Sequence, residues 1–241
     1  MIYIENDSKD AAFHFSVEEH FTRNLRIDKP VLMIWQTGKT VMIGNNQVVS
    51  AEVDLKLASK SNIPVIRRSS GGGALYTDLG TVLYTVIEPM VNEPQVHREN
   101  LAARIINALS AMGVPAAREG RNDILAEGRK ISGFAQYTSG NHICTHGSLL
   151  FDTDMDILTG ILLPQPEKLL PKGIASIRSR VTNIKPYLKD DHTVNNFIDD
   201  LKHELTGGRD HSLYKLNEDD LKKISMIDLE KYSNNAWNFR M

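Results

Sequence analysis

Cysteine is nearly absent from this chain: Cys144 stands alone in 241 residues. That excludes an internal disulfide framework and any multi-cysteine zinc site, and it fits a reducing compartment. No secretory leader is expected either. The N-terminus MIYIENDSKD is acidic and polar, with neither a basic n-region nor an apolar h-region. No apolar run approaches the ~18 residues needed to span a bilayer. Charge of one sign is also lacking, since 28 basic against 30 acidic residues leave a formal net charge of −2. Nothing global therefore attracts nucleic acid, and any anion site has to be local. A cytoplasmic, monomeric protein with no membrane and no nucleic-acid partner is expected. Hydrophobic residues at 41% and charged residues at 24% suit a chain that buries a sizeable core and argue against disorder.

Hydrophobic periods alternate between two and 3.6 along the chain, which reads as mixed α and β. Ala11 to Leu25 has helical spacing, with Ala12, Phe15 and Phe21 on a broad face and Asp10 or Ser8 able to cap it. Val31 to Trp35 and Thr40 to Ile43 are β-rich runs around Thr37-Gly38-Lys39, so a hairpin is predicted. Asp54 to Ser61 reads as a short helix, Pro64 to Arg67 as extended, and Thr81 to Ile87 as a strand. Leu101, Ile105, Leu109 and Met112 recur at helical spacing, stopped by Gly113 and Pro115. Asp123 to Leu125, Arg129 to Gln136 and His142 to Phe151 follow with tight turns between them, which predicts an antiparallel meander. Thr153 or Asp154 starts a short helix reaching Leu163, and the four prolines of Pro164 to Pro186 predict irregular chain. Thr193 caps a helix with Val194, Phe197, Leu201 and Leu205 on one stripe, ended by Gly207-Gly208, and a last helix runs from Asn217 to Ile224. Strands separated by helices with few short βαβ units favour an α+β fold, with mixed or mostly antiparallel sheets flanked by helices. Residues 1–241 are expected to form one domain, with 185–241 as its helical C-terminal part.

The densest chemical signal is Arg67-Arg68-Ser69-Ser70-Gly71-Gly72-Gly73-Ala74. Three successive glycines open backbone angles closed to other residues and let a ligand approach the main chain. Their N–H groups can converge on a phosphate as a nest, and the two arginines add bidentate donors. The string is neither a P-loop nor G-x-G-x-x-G. A glycine-rich hairpin with solvated arginines is the bland alternative. RRSSGGGALYTDLGTVLYT resembles the signature segment of lipoate–protein ligases. EGRNDILAEGRKISGFA and HGSLLFDTDM resemble two later segments of that family, and PKGIASIRSRVTNI resembles the block that follows them. The likeness runs from about Trp35 to Asn183, then weakly to Trp237-Asn238-Phe239.

That resemblance implies a biotin/lipoyl ligase-like catalytic domain and an AMP-forming ligase. Lipoate would be activated with ATP and Mg²⁺ as lipoyl-AMP, then passed to a lysine of a carrier domain. By the same resemblance Lys130 is the central cation, reaching the carboxylate and the α-phosphate. Arg68, Ser70, Gly71, Gly72, Gly73, Ala74, Leu75 and Tyr76 would line the lipoyl-adenylate. Asn122, Gly133, His146 and Ser148 would join them, and Asp123 would help hold Mg²⁺ or merely cap a turn. Trp35 is read as pocket wall, since the dithiolane and its alkyl tail need an apolar tunnel. The family often has histidine where this chain has Thr77.

The implied partner is a lipoyl carrier, either a 2-oxo-acid dehydrogenase E2 lipoyl domain or the glycine-cleavage H protein. An acidic carrier would dock near Lys172, Arg178 and Arg180. Relatives carry a small C-terminal domain after a W-N-F/Y-G junction; here it is expected to be absent or to come from a separate accessory subunit. An octanoyl or lipoyl transferase of the same fold is the nearest rival, and it needs a nucleophile. Cys144, two residues before His146 on one strand, is the only cysteine that could serve. A biotin ligase, or a protein that only binds lipoyl-AMP, are further alternatives.

Overall fold

A computed structural model describes residues 1–24, 29–163, 180–189, 191–208 and 211–240. Lys172, Arg178 and most of the proline-rich 164–186 stretch lie outside the described residues.

Eleven strands are present among the described residues: β1 (Ile2–Ile4), β2 (Val31–Trp35), β3 (Thr40–Ile43), β4 (Val65–Arg67), β5 (Leu75–Thr77), β6 (Thr81–Pro89), β7 (Ala116–Glu119), β8 (Asp123–Ala126), β9 (Arg129–Ser139), β10 (His142–Leu150) and β11 (Ser212–Tyr214). Eight of them form one sheet in the order β11-β1-β2-β6-β10-β9-β8-β7, and three form a second, β4-β3-β5. The predicted meander is there, β8 to β10 pairing antiparallel in sequence. Its turns carry Glu127 and Gly140 at positive φ, as tight connections require.

The predicted hairpin of β2 with β3 is corrected. β2 pairs with β1 and β6 in the large sheet, whereas β3 pairs with β4 and β5 in the small one. Every residue of both strands is buried, so long-range partners on each edge outcompete a local turn. Gly38 instead donates its N–H to the Lys9 carbonyl, which turns the chain out of the first sheet.

Helices form where caps and apolar stripes coincide. α1 (Ala11–Asn24) starts at Asp10, whose carboxylate accepts from the Ala12 N–H. α2 (Val49–Glu52) and α3 (Leu55–Lys60) follow, the latter capped by Asp54. α4 (Pro94–Ala111) ends at Gly113, in the left-handed region. Asp154 caps α5 (Met155–Ile161), a capping box at Thr193 starts α6 (Val194–Thr206), and Asn217 does the same for α7 (Glu218–Ile227). A π-helical turn Asp228–Tyr232 and a short α8 (Asn235–Asn238) follow.

α4 and α6 cover one face of the large sheet, packing Leu101, Ile105 and Leu201 on Leu32, Val82 and Val86. α1 covers the other face, with Phe15 and Phe21 against Met33, Trp35, Leu83 and Cys144. α1 is itself covered by Ile224 and Tyr232, so its polar residues are buried too. The small sheet packs Val41, Ile43 and Tyr76 against α2, α3 and α5.

Burial of α1 has a measurable consequence at His14, which is fully shielded from solvent and stacked on Trp35 at 4.3 Å. Its Nε2 bonds the Ser8 carbonyl while its Nδ1 has no partner. Burial pulls its pKa down from 6.5 to about 4. Between those values the folded imidazole stays neutral while the unfolded one binds a proton. Stability from this residue is therefore whole above pH 6.5 and falls as pH drops towards 4. The slope is about 1.4 kcal/mol per pH unit. In His14→Phe the stability curve measured by denaturation between pH 6.5 and 4 should flatten by that amount, and an unchanged slope would disprove the assignment.

Candidate active site

β9 carries the cation. Its register with β8 slips between Ile124 and Leu125: Ser132 faces Ile124 while Lys130 faces Leu125, so Ile131 is an extra residue. In a regular strand, residues three apart point to opposite faces. The bulge puts Lys130 and Gly133 on the same face, the one α1 covers, while Ile131 and Phe134 both turn into the α4 side. Gly133 leaves room for this. A Cβ there would meet the Lys130 Nζ at 2.8 Å and its Cε at 2.9 Å, so the ammonium lies directly over the glycine. Asp123, opposite Gly133, holds it through Oδ1 at 2.8 Å. Both side chains are half-exposed, so the pair adds little stability and acts on position. The Lys130 carbonyl accepts from the Thr182 N–H, which ties the 181–183 segment alongside the start of β9. In Gly133→Ala the ammonium has to move while the backbone need not. Activity should fall on the order of 100-fold with stability changed by under about 1 kcal/mol. Retention of full activity by a folded Gly133→Ala would show that the seat over Gly133 does not position the ammonium.

The glycine loop hangs over the same face. Gly72, at φ +94°, lies against Ala135, two residues along β9 from Gly133: a Cβ added at Gly72 would stand 3.7 Å from the Ala135 Cβ. The strand positions that loop and ammonium overlie, Ala135 and Gly133, are thus about 7 Å apart. Gly71 has open space where a side chain would stand, and Gly72 and Gly73 are exposed. Gly44 backs the loop so closely that any Cβ there would strike the Gly72 carbonyl.

The two arginines do something other than offer donors to a ligand. Arg68 is buried and donates to Ser70 Oγ at 3.0 Å and to the Gly71 and Gly73 carbonyls at 2.8 and 2.7 Å. It shapes the loop from beneath; burial, opposed by Glu18, pulls its pKa down to about 10. Arg67, also buried, donates to the carbonyls of Gly44, Asn45 and Gln47 and to those of Trp237 and Arg240. The C-terminal Trp237-Asn238 pair returns the grip: the indole donates to the Arg67 carbonyl and the Asn238 Oδ1 accepts the Arg67 N–H.

Ser70, His146, Glu18, Thr85 and Trp35 form one buried chain of hydrogen bonds. Ser70 Oγ meets His146 Nε2 at 2.6 Å, and His146 Nδ1 meets Glu18 Oε2 at 2.8 Å. Thr85 donates to Glu18 Oε1 and accepts from the Trp35 indole. A second network reaches Ser69: its hydroxyl meets Tyr232 and Glu19, and Lys231 bonds both Ser69 and Glu19. Desolvation opposes ionisation of Glu19, yet Lys231 and Tyr232 hold its pKa below the usual range.

Trp35, read as pocket wall, and Leu75, read as lining the adenylate, share an apolar cluster with Phe15 and Met42. Ser148 faces Gly133 on the α1 side, Asn122 precedes Asp123 with its Oδ1 buried and unpartnered, and Ala74 is half-buried at the small sheet. Tyr76 is elsewhere: its ring is wholly buried in the small sheet's core. Thr77 is likewise spent, bonding Thr37 at 2.7 Å.

Among the described residues, one group could offer three metal ligands, namely Glu18, Cys144 and His146. Both carboxylate oxygens and both ring nitrogens are already hydrogen-bonded, so as folded it is a network rather than an open coordination site. Cys144 is fully buried, and burial with Glu18 pushes its thiol pKa up. It is a poor nucleophile there. Glu18, Glu19 and Tyr232 escaped sequence reasoning. For Glu18 and Glu19 the only hint was a pair of adjacent carboxylates within a helix that also carries Phe15, Val17 and Phe21.

Residues 10–206 match the sequence profile of the lipoyl protein ligase A/B catalytic domain. The lipoate-protein ligase LplJ of Bacillus subtilis is 35% identical over 99% of this chain and 73% of its own length. A bi-partite lipoate protein ligase from Thermoplasma acidophilum, solved in a study of that ligase and its E2 lipoyl domain, superposes with a TM-score of 0.87. It is 25% identical, over 99% of this chain and 95% of that one. A lipoate-protein ligase A bound with ATP shares the fold, with a TM-score of 0.84 at 24% identity over 99% of this chain and 97% of that one.

Proposed function

This chain belongs to the lipoyl protein ligase A/B catalytic-domain family, and from that premise we propose that it joins lipoate to a carrier lysine in two ATP-dependent half-reactions. The observation that carries the proposal is the Lys130 ammonium, seated over Gly133 beside the glycine loop. In the first step an oxygen of the lipoate carboxylate attacks the α-phosphorus of ATP and pyrophosphate leaves with the bonding electrons. Negative charge grows on the phosphoryl oxygens, where a fixed ammonium and loop N–H groups stabilise it. In the second step the neutral amine of the acceptor lysine attacks the acyl carbon. AMP leaves, the amine loses a proton, and an amide remains. Lys130 polarises the carbonyl in that step, and its pairing with Asp123 keeps it from swinging away.

The wall of Trp35, Phe15, Met42 and Leu75 suits the alkyl chain and dithiolane. His146, held from both sides, fixes Ser70 and through it the loop. Mg²⁺ would enter on the triphosphate, with Asp123 as the carboxylate flanking it; a hard cation suits that oxygen donor. The acceptor is a lipoyl carrier domain, a reading the E2 lipoyl domain of the Thermoplasma system supports. A small accessory domain, on this chain or apart from it, raises the rate of adenylation. The bi-partite make-up of that same relative supports the existence of a separate second part. Mixing the protein with lipoate and Mg-ATP should release pyrophosphate. No lipoate-dependent release, with or without an accessory domain, would refute the two-step reading.

A further inference from the structure

Three arginines gather where no part of the proposed chemistry uses them. Arg98, on the second turn of α4, is 8% exposed. Its Nη1 reaches the Gln136 Oε1 at 3.4 Å, while its Nε is buried without a partner. Arg118 on β7 and Arg121 in the following turn lie close enough to depress the ionisation of Arg98 further, after burial itself. Glu99 is the one counter-charge acting on Arg98, and it meets Arg118 only at 3.8 Å. A cluster of like charges in a chain with a net charge of −2, one of them buried with an unused donor, is costly unless an anion completes it.

The topology says which side that anion comes from. Gln136 follows Phe134 on the α4 side of β9, whereas Lys130 and the glycine loop stand on the α1 side. The sheet separates the arginines from a triphosphate bound at the loop. They open instead on the terminal strand β7, whose free edge and residues Ala117 to Glu119 are exposed. The cluster is nevertheless wired to the site. Arg118 Nη2 bonds the Arg121 carbonyl, and the next residue, Asn122, accepts the Phe134 N–H just before Asp123.

We propose that Arg118 and Arg121, with the buried Arg98 behind them, form the docking surface for acidic side chains of the carrier domain, next to the turn that leads to Asp123, the partner of Lys130. This rests on the reading of the chain as a carrier-modifying ligase. Electrostatic docking of this kind sets encounter and register, and it weakens with salt.

The test titrates an apo lipoyl domain of a 2-oxo-acid dehydrogenase E2 against the whole chain by calorimetry, alongside carrier-free pyrophosphate release. Arg118→Glu with Arg121→Glu should raise Kd about tenfold or more and abolish its salt dependence. Arg118→Lys with Arg121→Lys, which keeps charge and fold, should stay within about threefold of the parent. Carrier-free pyrophosphate release should be unchanged in both. A Kd within about twofold of the parent in the reversal variant overturns the surface. So does a parallel fall in carrier-free pyrophosphate release, which would place the triphosphate there instead. Binding needs no turnover, so an inactive parent would count against the proposed reaction and leave this surface to be judged by Kd alone.

Discussion

Lys130→Ala should fold normally and lose lipoate-dependent pyrophosphate release by about 10²- to 10³-fold or more, the scale of removing one preorganised charge stabiliser. The side chain is half-exposed and its one ion pair is with a half-exposed carboxylate, so unfolding free energy should change by under about 1 kcal/mol. Lys130→Arg should rescue little. A planar guanidinium is wider than an ammonium, and the seat over Gly133 is only as large as the missing Cβ allows. Kinetics on supplied lipoyl-AMP separate the two steps. If the lysine serves both, transfer to a carrier also slows. Near-parental pyrophosphate release in a folded Lys130→Ala would end the assignment of the central cation.

Arg67→Ala should do the opposite, costing stability first. The guanidinium is 1% exposed and holds five backbone carbonyls from two distant segments, residues 44–47 and 237–240. Each buried acceptor left unpaired costs about 1–3 kcal/mol, so a total of about 5 kcal/mol or more is expected, at the severe end for one substitution. Arg67→Lys should recover only part, since one ammonium cannot span carbonyls lying in two directions. Chemical denaturation should show a lower midpoint at unchanged slope. Hydrogen exchange should accelerate first at Asn45 to Gln47 and at Trp237 to Phe239. A loss below about 1 kcal/mol would show that the bonds are ornamental.

The contrast between these two residues marks what was legible in the sequence. Lys130 was singled out by a motif, and the glycine run, the β8–β10 meander, the Thr193 cap and the helix starts near Asp10, Asp54, Asp154 and Asn217 were readable as well. Each of these is a local signal, set by residues a few positions apart. Arg67 and Arg68 were read together as phosphate ligands because charge beside glycine suggests one. Their bonds run instead to carbonyls of their own loop and of segments 20 to 170 residues away, which no local pattern records. The same holds for β2 and β3, whose partners on both edges were distant. The β9 bulge was invisible for another reason. Strict alternation would have set Lys130 and Gly133 on opposite faces, and only the pairing with β8 shows the extra residue. Tyr76 sat within a motif yet turned to the core, because alternation along β5 sends Leu75 one way and Tyr76 the other.

The sheet's far edge bears on how such a chain is made. β1 pairs in parallel with β11, Ile2 beside Ser212, about 210 residues apart. Ser69, beside the glycine run, likewise waits for Lys231 and Tyr232, and Arg67 waits for Asn238. During synthesis the central strands β6, β8, β9 and β10 are complete while those late residues are still inside the ribosome. The nascent protein should therefore pass through a stage with a formed β-core and a loose glycine loop. Competence for the proposed adenylation would then arrive only once residues 231–238 have emerged, as a step distinct from the collapse of the core.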